Sequence, residues 1–440
     1  MTSVTLTVGG DRNTIMKVAD AEQILSRFQQ ELAQAGEGAK VETLNISCRV
    51  WKEETLNVLV DFLVEKVVPS IRYLNMDDVI ASLETSIGLQ TIRVLTGIFK
   101  NSPRLTRLDS SDNALGERAA EIMRPLFCLP TLKELRLVND GMSAEVGVKL
   151  VEAFLPEGRE TTSLTHLYLG KNQLGTGGAI QIAKIVRASP DLEYFSYRGS
   201  RPLKDGTKAL LEAFAALAEG TEKLKLVKLD INDTTVGTGE EDDDCIEELI
   251  TTLKKCPHLE NLDLGEAMIG PDGTARVIQA ITESGAKLKS LGLGSVDMRV
   301  EEAENGVDAL CEIFTTDTGK HLEELVLENN ELEDEGTAII IQALATARMS
   351  NLKTLSLADN MIGEDGATAL VEHKIDSLQV LDLSSNDDIP EELAIRLVRM
   401  YKGCQVLLAD DIITQDLDEE EENDQAVEDL SGMLSQQKIS

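Results

Sequence analysis

The run "LRLVNDGMSAE", from Leu135 to Glu145, holds an asparagine that breaks the spacing kept elsewhere in the chain. In "LTHLYLGKNQLG" and "LEELVLENNELE" an asparagine falls eight residues after the first leucine. Counting eight from Leu132 reaches Asp140 and leaves Asn139 one residue early. A primary amide donates and accepts hydrogen bonds at once, but spacing alone reads this one as a loop residue beside the ladder.

Other reactive residue types form no constellation. The histidines (His166, His258, His321, His373) fall in different repeats, and none has a partner at metal-ligand spacing. Cys256-Pro257-His258 is the nearest approach to a thiol–imidazole pair, yet it directly precedes a strand's first leucine. "GTGGAIQIAK" lacks the G-x-x-x-x-G-K-[ST] spacing of a phosphate loop, and such glycines recur wherever a repeat turns into its helix. Cys48, Cys128, Cys245, Cys256, Cys311 and Cys404 show no paired spacing and read as reduced thiols. The chain's own residues define no active site, cofactor site or metal site.

The elements that carry these residues come from a repeat. L-x-x-L-x-L recurs with first positions at Val41, Ile71, Leu105, Leu132, Leu164, Leu192, Leu226, Leu259, Leu288, Leu322, Leu352 and Leu378, in steps of 26 to 34 residues. Each L-x-L step places its leucines on one side of a short strand and the intervening residues on the other. Stretches such as "GGAIQIAKIVRA" and "DEGTAIIIQALATA" then space apolar residues three and four apart, giving a helix with one buried face. Ladder asparagines (Asn113, Asn172, Asn330, Asn360, Asn386) sit where buried turns need local hydrogen-bond partners. Stacked strands are closer together than packed helices, so the stack is expected to bend. The fold class is α/β, a leucine-rich-repeat solenoid shaped as a ribonuclease-inhibitor-like crescent. The expected organisation is an N-terminal strand–helix cap over 1–40, one repeat domain of about twelve repeats over 41–409, and an acidic, largely disordered tail over 410–440.

A formal charge of −36 disfavours nucleic acid and anionic membranes and favours a basic protein partner. No apolar run has the length of a membrane span, and the N-terminus lacks the pattern of a signal peptide. A second acidic run, "EEDDD", lies in the repeat that begins at Leu226.

Three stretches carry a resemblance: "SDNALGE" (Ser111–Glu117), "LKELRLVNDGMSAE" (Leu132–Glu145) and "GGAIQIAKIVRASPDLEYF" (Gly177–Phe195). With the repeat number, the cap and the acidic tail, they make the chain similar to Ran GTPase-activating proteins of the plant-type branch, over nearly its whole length. The resemblance implies a regulator that stimulates GTP hydrolysis by Ran in trans, in nucleocytoplasmic transport, and is no hydrolase by itself. It implies that Asn139, as the catalytic residue, helps hold Ran's own glutamine, which positions the attacking water, without an arginine finger. Partner-binding positions are implied at Asp112, Asp140, Lys171, Arg198 and Arg201, with Arg201 matching a family arginine. GTP and Mg2+ would belong to the partner, which is Ran in its GTP-bound form, with a Ran-binding protein as a further associate. A cytoplasmic monomer is expected.

Two departures stand out. Leu83 takes the place of a basic residue common in the family, and the Trp-Pro-Pro targeting motif of land-plant members has no counterpart, which leaves perinuclear anchoring by that route unsupported. A non-catalytic protein-binding scaffold is the alternative reading. A ribonuclease-inhibitor-like protein is a third, weakened by the low cysteine content.

Overall fold

A computed structural model describes residues 2–10, 14–114, 116–237, 244–299 and 306–409. The acidic tail over 410–440 and most of the "EEDDD" run, residues 240–243, lie outside these. The chain divides into two compact units, Met1–Leu288 and Lys289–Ser440.

In the first unit nine strands follow one another in chain order: β1 (Ser3–Thr7), β2 (Lys40–Asn45), β3 (Tyr73–Asn75), β4 (Arg107–Asp109), β5 (Glu134–Arg136), β6 (His166–Tyr168), β7 (Tyr194–Ser196), β8 (Lys228–Asp230) and β9 (Asn261–Asp263). Neighbours pair in parallel, and from β3 onward the register is residue for residue: Leu74, Leu108, Leu135, Leu167, Phe195, Leu229 and Leu262 lie side by side. All seven are buried, as the L-x-L pattern requires. Every adjacent pair of strands is joined through a crossover that carries at least one helix. In the second unit β10 (Ser290–Gly292), β11 (Glu324–Val326), β12 (Thr354–Ser356), β13 (Val380–Asp382) and β14 (Gln405–Leu407) repeat the plan, with Leu291, Leu325, Leu355 and Leu381 in line. This is the leucine-rich-repeat architecture expected from the sequence. β1 pairs with β2, so the expected cap extends the repeat sheet by one strand.

The helices form for the reason their spacing gives. Helix Gly175–Arg187 buries Gly178, Ala179, Ile182, Ala183, Ile185 and Val186, one continuous stripe. It lies between helices Ala144–Phe154 and Leu203–Glu219.

Between strand and helix each repeat must turn, and there the asparagines work. Asn172 is buried, and its Oδ1 accepts from the backbone N–H groups of Asp140 (3.0 Å) and Met142 (3.1 Å) in the preceding repeat. Its amide donates to the carbonyls of Leu137 (2.7 Å), Leu169 (2.9 Å) and Gly170 (3.2 Å). Asn113, Asn330, Asn360 and Asn386 do the same in their own repeats. Ser200 also serves in this series, since its hydroxyl accepts from Asn172 N–H (3.2 Å) and donates to Leu169 O (2.9 Å). It falls eight residues after Leu192, at the ladder spacing, and only its residue type sets it apart from the asparagines.

Candidate functional site

The residue before each ladder position adopts the left-handed backbone conformation. In the first unit this column runs Cys48 (φ 57), Asp78 (φ 53), Asp112 (φ 56), Asn139 (φ 57), Lys171 (φ 56), Gly199 (φ 62), Asp233 (φ 55) and Glu266 (φ 59). Side chains disfavour that region, and asparagine, aspartate and glycine tolerate it best. Backbone bonds link each member to the next repeat: Asp112 N–H to Val138 O (2.9 Å), Asn139 N–H to Gly170 O (3.0 Å) and Lys171 N–H to Arg198 O (2.7 Å). Asn139 is therefore in register. It fills a column present in every repeat, which residue types alone conceal because aspartate, lysine, glycine and serine fill it too.

Asp112, Asn139 and Lys171 are consecutive in this column, and Asn139 and Lys171 are exposed. The Asn139 amide donates to Asp112 Oδ1 at 2.6 Å, which fixes the side chain and leaves its carbonyl oxygen accessible. Arg201, one residue beyond the ladder serine, is exposed and also left-handed (φ 49). Arg198 turns instead over the strands, its Nη1 4.0 Å from Asp230 Oδ2 and 3.8 Å from Asp263 Oδ2. Leu83 is half-buried, and its N–H bonds Ile80 O (3.2 Å).

Asp140, expected to meet a partner, is fully buried and out of a partner's reach. It occupies a ladder position, and its Oδ1 accepts from Asn113 N–H at 2.9 Å. Its Oδ2 has no hydrogen-bond partner among the described residues. Burial pushes this carboxyl well above the usual carboxylate range, and the nearby Asp109, Asp112 and Asp77 push the same way. When protonated, a carboxyl at this position can offer the O–H donor that an asparagine amide supplies elsewhere in the ladder.

A stability prediction follows with a definite sign. The folded state holds the Asp140 proton more tightly than the unfolded chain. Its contribution is therefore full below the ordinary aspartate range, about pH 4, and lost as pH rises through the folded value. Asp140→Asn should remove that loss and raise neutral-pH stability by roughly 1–3 kcal/mol, the cost of an unsatisfied buried group. Urea unfolding at pH 4.5 and 7.5 checks it: the variant's advantage should be larger at pH 7.5. A variant less stable than the parent at both pH values would show that the carboxyl has a charged partner.

Sequence reasoning missed a second feature, on the open face of the strands. The residues flanking the buried central side chains of β3–β7 are Tyr73 and Asn75, Arg107 and Asp109, Glu134 and Arg136, His166 and Tyr168, and Tyr194 and Ser196. Three of the chain's five tyrosines sit there. No motif could announce the cluster, because strand register alone assembles it.

Leucine-rich repeats of this geometry have known relatives. A family model described as "Leucine Rich repeat" matches residues 161–183, 320–337 and 348–371. The chain has the leucine-rich-repeat fold. It is 26% identical over 254 residues to the ribonuclease inhibitor of Mus musculus, covering 57% of this chain and 51% of that protein. It is 25% identical over 309 residues to "NACHT, LRR and PYD domains-containing protein 5" of the same species, covering 62% and 24%. With Ran GTPase-activating protein 1 of Saccharomyces cerevisiae it shares 23% identity over 319 residues, covering 71% of this chain and 68% of that protein. The chain thus spans about half the length of the ribonuclease inhibitor it matches and about a quarter of the NACHT protein. A solved chain from a yeast Rad7 and Elc1 complex has a TM-score of 0.53 at 14% identity, covering 90% of this chain and 91% of that one. That likeness is one of fold. Repeat proteins of this architecture present extended surfaces on which other proteins bind.

Proposed function

We propose that this chain is a GTPase activator for Ran, acting in trans on its GTP-bound form. The observation that carries the reading is the exposed Asn139 amide, fixed at 2.6 Å by Asp112 in a left-handed turn. Such an amide is preorganised to hold another amide, and phosphoryl transfer is accelerated chiefly by positioning. The yeast Ran GTPase-activating protein among the relatives supports it, as does coverage of over two thirds of both chains. In this reading Asn139 holds Ran's glutamine in line with the water, Asp112 fixes the Asn139 amide, Lys171 and Arg201 are further contacts from the turns, and Arg198 meets the partner from over the strands. Asp140 supports the turn from behind. GTP and Mg2+ come with Ran, and the acidic tail over 410–440 draws in a basic partner surface. The work would be done in the cytoplasm.

A second reading, a binding scaffold without activation, is favoured by one observation. Asn329 occupies the same column in the second unit (φ 50), is exposed, and donates to Ser295 Oγ at 2.9 Å, so the arrangement at Asn139 also arises as plain repeat architecture. Single-turnover hydrolysis of GTP on Ran, with and without excess chain, separates the readings. Activation requires an accelerated rate. A complex that forms without acceleration makes the chain a scaffold.

A further inference from the structure

Left-handed turns recur at a second position of the repeat. Eleven residues after the first position of their repeats stand Ser82 (φ 63), Gly116 (φ 57), Gly175 (φ 56), Leu203 (φ 53) and Gly270 (φ 78), all in the first unit. Glycine, which meets no steric cost at positive φ, fills three of these five places. Leucine does meet that cost, and the Leu203 side chain is 63% exposed, more than any other large apolar side chain among the described residues. Neither burial nor backbone preference accounts for a leucine here. The segment that carries it is firmly held: Pro202 is buried, its carbonyl accepts from Thr176 Oγ1 at 2.7 Å, and Ser200 O accepts from Gly175 N–H at 3.0 Å. Arg201 and Leu203, both left-handed and both exposed, are thus presented to solvent from a pinned turn.

We infer that Leu203 is an apolar anchor for the GTPase, buried against an apolar patch of its surface when Asn139 meets it; this rests on the reading of Asn139 given above. A single exposed leucine is ordinary on a protein surface, but one held in a disfavoured backbone conformation is not. Left open, this side chain costs twice, through its backbone and through its contact with water. A partner that covers it removes the second cost in the complex alone, which makes the residue a source of affinity. The position fits. An interface of standard size covers about 800 Å² on each partner, a disc of about 16 Å radius. Leu203 lies two repeats beyond Asn139, or about 10 Å at the usual strand spacing. A partner centred on Asn139 therefore reaches it.

Met268 supplies the comparison. It too is left-handed (φ 53) and 55% exposed. It stands four repeats beyond Asn139, about 19 Å away by the same spacing and outside the same disc. Leu203 acts on binding and not on the chemical step, because its contact is the same whether or not the water is in line. That separates it from Asn139, whose effect is expected in the rate. Asparagine is the informative replacement: it is close to leucine in size, tolerates positive φ better and is polar. Leu203→Asn should therefore weaken binding without weakening the fold, whereas a leucine kept for the fold would show the reverse.

The test measures the Kd of the full chain for Ran loaded with a fluorescent, non-hydrolysable GTP analogue, read by anisotropy. Single-turnover hydrolysis at saturating chain and urea unfolding are measured beside it. Leu203→Asn should raise the Kd about tenfold, the loss expected when most of a leucine is no longer buried. Its saturated rate should equal the parent's, and its urea midpoint should not fall. Leu203→Met keeps the apolar surface and should bind like the parent, as should Met268→Asn. An unchanged Kd for Leu203→Asn overturns the inference, and so does an equal loss in Met268→Asn. A lowered urea midpoint in Leu203→Asn overturns it too, because the leucine would then serve the fold. A parent that binds Ran without accelerating hydrolysis contradicts the activator reading alone, and the Kd values still decide Leu203; a parent that does not bind Ran overturns both.

Discussion

Replacing Asn172 with alanine is expected to destabilise the first unit by about 2–6 kcal/mol, more than a typical surface substitution by an order of magnitude. The size comes from what the side chain serves. Its Oδ1 is the acceptor for two backbone N–H groups, those of Asp140 and Met142, and both lie in a turn closed to water. Each orphaned buried donor costs about 1–3 kcal/mol. The amide's three donations, to Leu137, Leu169 and Gly170, are lost as well. Asn172→Asp should do less damage, because it keeps the acceptor and, when protonated, regains a donor. Urea unfolding followed through Trp51 reads the result, since this single tryptophan is fully buried in the same unit. A shift of the midpoint worth under about 0.5 kcal/mol, the range of a neutral surface change, would mean that water or another group takes over these donors.

The same bonds make Asn172 a poor control for Asn139. They pin the turn that carries Asn139, so a loss of activity in Asn172→Ala would report a loosened turn. Asn329 is the better control, with the same backbone conformation and the same type of side-chain bond in the other unit.

Much of the fold was legible because leucine spacing and burial are the same fact. Leu135 and Leu167 are buried neighbours because their strands pair in register, and the L-x-x-L-x-L pattern encodes that pairing. The asparagine ladder was legible for a similar reason, since one side-chain type meets one recurring need. Where chemistry substituted for type, the reading failed. Ser200 closes its turn with a hydroxyl in place of an amide; it falls eight residues after Leu192, so the register marks its place while its residue type hides its role. Asn139 looked displaced because the left-handed column is defined by φ, and Asp112, Lys171 and Gly199 share that φ without sharing a side chain. Asp140 was recognised as holding the ladder position, but its burial makes it support for the turn and removes it from a partner's reach. The Tyr73–Tyr194 face was beyond reach of sequence patterns, because its members come from five strands spread over more than a hundred residues.

Asn139→Ala is expected to slow chain-stimulated GTP hydrolysis on Ran by about 10²–10³, or about 3–4 kcal/mol, the usual cost of one preorganised polar contact at a reacting centre. Complex formation should stay nearly intact, because a contact made only when the water is in line acts on the transition state more than on binding. Stability should fall by about 1 kcal/mol, since alanine tolerates the left-handed backbone less well than asparagine, and Asn329→Ala carries the same cost. The decisive measurement is single-turnover hydrolysis of Ran-bound GTP at saturating chain, with parent, Asn139→Ala and Asn329→Ala side by side. A fast parent, a fast Asn329→Ala and an Asn139→Ala slowed at least a hundredfold is the predicted result; an Asn139→Ala as fast as the parent, or a parent no faster than Ran alone, would contradict it.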